Sequence, residues 1–164
     1  MNQPQSRLTR ELVMLISIIL GGFTVFITMS LQVVFVVLML RYLINIMDHD
    51  DWKSHGFGFD ILVIGTVLLM LFAGHLSQIA IWAMLFMKLG QFDSFLTAFY
   101  HSAVNFSSLG YGDIVMSERW RLLGALEAGN GVLMFGLSTG TILSVMNRLF
   151  ALRKPSQSHN NQSN

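Results

Sequence analysis

The sequence predicts an all-α membrane protein: three helices that cross the bilayer, and a short fourth that enters between the second and third and turns back. Three observations carry this reading. The 164 residues are 53% hydrophobic and only 12% charged, whereas a soluble domain averages about 25% charged. The apolar residues are gathered in blocks, not evenly spread. One apolar piece, DSFLTAFYHSAVNFS (residues 93–107), is too short to cross and is followed by SLGYGD.

Residues 12–40 contain no acid, lysine or arginine, and neither do residues 61–87. Spanning the hydrocarbon takes about 20 apolar residues, so each run is long enough for one crossing and too short for a hairpin of two. The stretch from Trp120 to Leu149 carries one acid, Glu127, and is otherwise apolar until Arg148 once its first turn is past; it forms the third span. The first apolar run is far too long for the core of a cleaved signal peptide. As a helix it would measure about 45 Å, so it must tilt, kink or protrude, unless it lies on the membrane surface.

A helix over residues 93–107 covers about 20 Å of a hydrocarbon core about 30 Å thick. Asp93 or Ser94 would cap its first turn. Extended backbone at membrane depth leaves polar groups unpaired, which is tolerated only inside protein or beside a watery cavity. A loop whose carbonyls bind cations escapes that cost. Gly110 and Gly112 suit such a loop, because without a Cβ they take positive φ and let successive carbonyls face one side. The negative end of the short helix dipole favours a cation there.

The stretch AFYHSAVNFSSLGYGDI and the later GVLMFGLSTGTILSVMNRL resemble the pore domain of tetrameric potassium channels, over about residues 60–150. The closest likeness is to small bacterial channels with a pore module and one extra helix. The resemblance implies a homotetramer in the bacterial inner (plasma) membrane, with four chains sharing one K+ selectivity filter. The filter would be Ser108, Leu109, Gly110, Tyr111 and Gly112. Asp113, His101 and Glu127 would support the filter and its mouth, His101 by bonding Tyr111 or Asp113. Val132, Phe135, Thr139 and Leu143 would line the cavity. Gly131 would sit at the inner-helix hinge, with close packing an equal alternative. Potassium is then the permeant ion and the one metal expected; no cofactor and no nucleic acid are expected.

This chain departs from the family pattern. Ser108 and Leu109 stand where threonine and valine are usual, and Val104 stands where some relatives carry an acid. Asp93, Asp113, Glu118 and Glu127 gather acidic charge around the outer side of the filter, partly offset by Lys88, Arg119 and Arg121. Glu127, inside a span, is read as a buried structural bond, with direct ion contact the alternative. His75 is read as a hydrogen-bonded packing histidine partnered by Gln78, with a proton sensor as its alternative. Gly21, Gly22, Gly136 and Gly140 are read as packing glycines, with hinging the alternative for Gly136 and Gly140.

Four segments follow: an N-terminal segment with the extra helix (1–44), an acidic and histidine-containing loop (45–59), the pore module (60–150) and a polar, disordered tail (151–164). The loop's DHDDWKSH has no fixed metal-ligand spacing. The sequon at Asn105 lies in the short helix and is dismissed. No arginine-rich voltage sensor appears. The ten basic residues divide equally between the two faces, so they do not orient the chain; an outward filter would put the N-terminus outside. There is no cysteine, nucleophile–base pair or phosphate loop, so no enzyme is expected. Two alternatives to a potassium channel remain open: a weakly selective cation channel, and a non-conducting membrane subunit.

Overall fold

The computed structural model describes residues 3–47 and 56–153. They form four α-helices: α1 (Gln3–Met47), α2 (Phe57–Lys88), α3 (Phe95–Phe106) and α4 (Arg121–Arg153). Three of them contain stretches long and apolar enough to cross a membrane, Arg7–Ile46, Gly58–Lys88 and Arg121–Ala151. Of the acidic loop expected over residues 45–59, residues 45–47 belong to α1 and 57–59 to α2, and residues 48–55 lie outside the described residues; of the tail expected over 151–164, residues 151–153 belong to α4, and those from 154 onward lie outside the described residues.

The first apolar run is part of one continuous helix of 45 residues, about 67 Å long. It lies along α4 from end to end in the same direction. Beside the first turns of α4, a Cβ on Gly21 would run into the Leu126 side chain. Midway, Asn130 donates to the Thr28 hydroxyl at 3.1 Å. Near its end, Met39 and Leu43 share a buried cluster with Val145 and Leu149 of α4 and with Val63, Val67 and Leu71 of α2. The helix therefore crosses wherever α4 crosses.

The side of α1 that faces protein is the less apolar one. Ser17, Gly21, Thr24, Thr28 and Gln32 are buried, while Ile16, Ile19, Phe23, Phe26 and Val33 are exposed. A membrane inverts the soluble pattern, since lipid tails are as apolar as leucine and small or polar residues hold helices together. The hydroxyls of Ser17, Thr24 and Thr28 each donate to a carbonyl one turn earlier in α1, which removes the cost of burying them.

Deeper in this seam Gln78 of α2 donates to Gln32 Oε1 at 2.7 Å, and Gln32 donates to Ser138 Oγ of α4 at 3.4 Å. His75 Nε2 lies 3.0 Å from that same oxygen. His75 is thus a packing residue as expected, but its partner is Ser138; Gln78 meets it only through Gln32 and Ser138. The reason is rotational: Gln78, nearly a turn beyond His75, points at α1, and His75 points at α4. At Gly74 a Cβ would come within 2.6 Å of Gln32 Oε1, so this glycine lets α1 and α2 approach.

The expected packing glycines fall into two groups. Gly21 packs closely, whereas Gly22, Gly136 and Gly140 have nothing within 4 Å of an added Cβ in the single chain. All three lie on exposed parts of their helices, where the chain itself supplies no close neighbour.

Candidate functional site

α3 is the short helix foreseen between the second and third spans. Ser94 occupies its N-cap position but makes no side-chain capping bond, contrary to expectation. Its backbone carbonyl accepts from Ala98 at 3.0 Å, and tertiary contacts hold the helix in place. Ala98, His101, Ser102, Val104 and Phe106 are all buried.

The helix stops through a Schellman cap. Ser108 has φ 59°, its N–H donates to Asn105 O at 2.8 Å, and the Leu109 N–H donates to Val104 O at 3.0 Å. These are the two bonds that define this ending, in which the left-handed position usually holds glycine. A serine there is strained by a side chain, yet less than a β-branched residue would be.

Left-handed residues recur at alternate positions. Gly110 has φ 58° and Gly112 φ 74°, with Leu109 and Tyr111 between them at negative φ. Such alternation turns the N–H groups to one edge and the carbonyls to the other. The N–H groups of Leu109 and Gly110 both point back to Val104 O. Among the described residues, the carbonyls of Ser108 to Gly112 accept no hydrogen bond, and all five residues are exposed.

A relay of hydrogen bonds joins α2, α3, α4 and the segment that follows the glycines. His101 Nδ1 donates to Ile114 O at 3.0 Å, because a carbonyl can only accept. Its Nε2 must then be the acceptor, and it lies 2.9 Å from Asn105 Nδ2. The other proton of that amide goes to Glu127 Oε2 at 3.3 Å. Ser102 bonds Glu127 Oε1 and also lies 2.8 Å from Ile79 O. One hydroxyl proton cannot serve both acceptors; a proton on Glu127 donated to Ser102 Oγ completes the relay with no group left over.

Glu127 has no exposed surface. It is the buried structural bond anticipated for it, and it does not join Asp113 and Glu118 at the surface. Replacing it by glutamine keeps one donor and one acceptor in place, and replacing it by alanine strands Ser102 and Asn105. We expect Glu127→Gln to keep near-native thermal stability in detergent. Glu127→Ala should lose about 1–3 kcal/mol per chain, the cost of unsatisfied buried groups. Equal stability of the two variants would show that the relay does not brace the protein.

His101 does not bond Tyr111 or Asp113 within the chain. Both of its nitrogens are occupied, and its ring is held between Phe92, 4.9 Å between centroids, and Phe86, 5.7 Å away. The contact to Asp113 comes from the preceding residue: the Tyr100 hydroxyl donates to Asp113 Oδ2 at 2.8 Å. That bond holds the Asp113 carboxyl below its ordinary pKa and raises that of the Tyr100 phenol. Farther along, Ser117 donates from both its N–H and its hydroxyl to Gln91 Oε1, at 3.0 and 2.7 Å. This pins the segment before α4 to the α2–α3 turn.

Burial lowers the pKa of His101, opposed by the Ile114 bond and the Asp113 charge. A histidine depressed in the folded state costs stability once the unfolded chain starts to take up a proton. The loss therefore begins as pH falls below 6.5, where Asp113 and its bond are still intact. We expect the melting temperature of the purified protein to fall as pH drops from 7 to 5, with a shallower fall in His101→Gln. Identical slopes in the two proteins would remove His101 from the acid response.

α3 ends on α4 at Gly131. A Cβ there would collide with Phe106 O and lie 2.8 Å from Phe106 C. Gly131 is thus a point of backbone contact. Val132, Phe135, Thr139 and Leu143 share an exposed side of α4; Phe135 stands at its edge, its ring 5.7 Å from that of Phe106 and 5.2 Å from that of His75, and the buried Met134, Ser138, Val145 and Leu149 lie on another side.

Against known proteins, the model of the family described as Ion channel matches residues 61–148, more than half of the chain. The chain belongs to this ion-channel family. No curated protein and no solved structure matches it. The match starts within α2 and stops within α4, so α1 is the channel's addition to the family module. Its seam with α2 and α4 is nonetheless buried and crossed by hydrogen bonds.

Sequence reasoning identified the glycines and Glu127, and missed Tyr100, Ser102 and Asn105. Asn105 was signalled by its spacing, one helical turn after His101 on the same face. Ser102 and Tyr100 had no comparable signal, since their partners lie on other elements.

Proposed function

We propose that the protein is a potassium-selective channel in which four copies bring residues 108–112 around one axis. The observation that carries this reading is the row of unpaired carbonyls on a backbone of alternating handedness. Unpaired carbonyls at membrane depth are costly, and a dehydrated cation is the ligand that repays them. One chain provides one strand of ligands. A K+ ion stripped of water needs a ring, which the family builds from four. In this reading α3 is the re-entrant pore helix and residues 108–112 are the filter.

The relay from Ile79 to Ile114 and the Tyr100–Asp113 bond then hold the filter from behind and at its mouth. Val132, Phe135, Thr139 and Leu143 face the central cavity, where Thr139 offers a hydroxyl to a hydrated ion. The likeness to small bacterial channels supports a bacterial plasma-membrane location.

The purified protein, alone in liposomes, should pass K+ far faster than Na+, and should have the mass of four chains in mild detergent. Comparable K+ and Na+ fluxes would mean a weakly selective cation channel. Absence of flux under all conditions would mean a non-conducting subunit. A conducting dimer would end the ring model.

A further inference from the structure

We propose that His75 is a positioning residue: it holds the ring of Phe135 at the edge of α4 and thereby sets the width of the central cavity. The cavity follows from the channel reading above; the placing of the ring does not depend on it. Phe135 is 42% exposed, so its ring is half on the open side of α4 and half against its neighbours. It meets the His75 ring edge to face, 5.2 Å between centroids at 68°, and the Phe106 ring at 5.7 Å and 84°. His75 and Phe106 are themselves 5.8 Å apart. Three rings from α2, α3 and α4 thus close into one cluster, at separations that aromatic pairs favour.

Phe106 is 1% exposed and is fixed by its packing. The His75 imidazole is anchored differently. It makes one hydrogen bond, between Nε2 and Ser138 Oγ at 3.0 Å, and its Nδ1 has no hydrogen-bond partner among the described residues. Ser138 accepts from Gln32 of α1 at 3.4 Å, and Gln32 accepts from Gln78 at 2.7 Å. The imidazole therefore stands at the end of a line of polar side chains that crosses α1, α2 and α4, and Phe135 packs against it. An aromatic side chain in a helix has two favourable χ1 wells. Contact with His75 and Phe106 selects one. The other takes the ring off both neighbours, and on this side of α4 the space open to it is the cavity.

The ring can be read directly, in the full-length protein in detergent, with para-fluorophenylalanine in place of Phe135. We expect one narrow fluorine resonance. His75→Ala should shift and broaden it, because loss of one aromatic contact changes the balance of two ring positions about two- to tenfold. His75→Phe keeps a ring without the Ser138 bond and should restore a resonance near the native one. His75→Gln keeps a polar group without a ring and should not. Rescue by glutamine and not by phenylalanine would overturn the proposal, by making His75 only a polar link between helices. A resonance that does not respond to His75→Ala would overturn it as well. These spectra require no conduction, so failure of the channel reading leaves a separate mark, the absence of K+ flux from the unsubstituted protein. In the conducting protein, block by tetrabutylammonium, a cation too wide for a filter that fits dehydrated K+, should change about two- to tenfold in His75→Ala and return in His75→Phe. Unchanged block in His75→Ala would overturn the link between this ring and the cavity.

Discussion

Gly131→Ala should prevent normal assembly of the channel. The atoms that an added methyl would meet are the carbonyl oxygen and carbon of Phe106, which are main chain and cannot rotate away. Phe106 is itself buried, with its ring against Phe135 at 5.7 Å and against His75 at 5.8 Å. Relief therefore requires the end of α3 to move off α4, and residues 108–112 to move with it. Overpacking in a tight core costs about 1–3 kcal/mol, and the proposed tetramer would incur it four times. We expect loss of the four-chain species in mild detergent, or a large fall in its melting temperature, with loss of flux. Gly136→Ala, which meets nothing within 4 Å in the chain, is the comparison. A Gly131→Ala protein that assembles with native stability but opens differently would assign this glycine to a hinge and refute the packing account.

Gly110→Ala should abolish K+ flux while leaving the protein folded. Here the added methyl meets no atom within 4 Å of the chain, but the backbone has φ +58°. Alanine in that conformation costs about 1–2 kcal/mol. One chain tolerates this, as it tolerates Ser108 at φ 59°. The proposed ring of four would incur about 4–8 kcal/mol, enough to reduce the conducting arrangement about a thousandfold or more. The backbone escapes by turning a carbonyl away from the axis. Gly112→Ala, at φ +74°, should behave alike. Measurement of K+ flux in liposomes, beside tetramer mass and melting temperature, tests both. Normal selective flux in either variant would show that these residues do not form the filter.

Much of the layout was legible because it depends on neighbours in sequence. Apolar length identifies a span, and a piece of 12 helical residues is too short wherever it packs. Gly110 and Gly112 were assigned positive φ because a main chain that must alternate needs residues without a Cβ. Glu127 was legible as a bonded acid because a lone carboxyl in a span is too costly to leave unpaired. Its partners were not legible. Ser102 and Asn105 look like ordinary polar residues of a short helix until α4 is laid against them.

The amino-acid sequence by itself thus determined the number of helices long and apolar enough to cross a membrane, the short helix between the second and third, and the backbone handedness at the glycines. Each follows from the length of an apolar run or from the steric limits of single residues. Only the tertiary structure decided which polar groups meet. Asn130 finds Thr28 across 102 positions, and Gln32 finds Ser138 across 106. Tyr100 reaches Asp113 while its neighbour His101 turns toward Ile114. Such pairings depend on the rotation and register of whole helices. A rotation by a single residue, about 100°, exchanges one face for another without altering hydrophobic length at all.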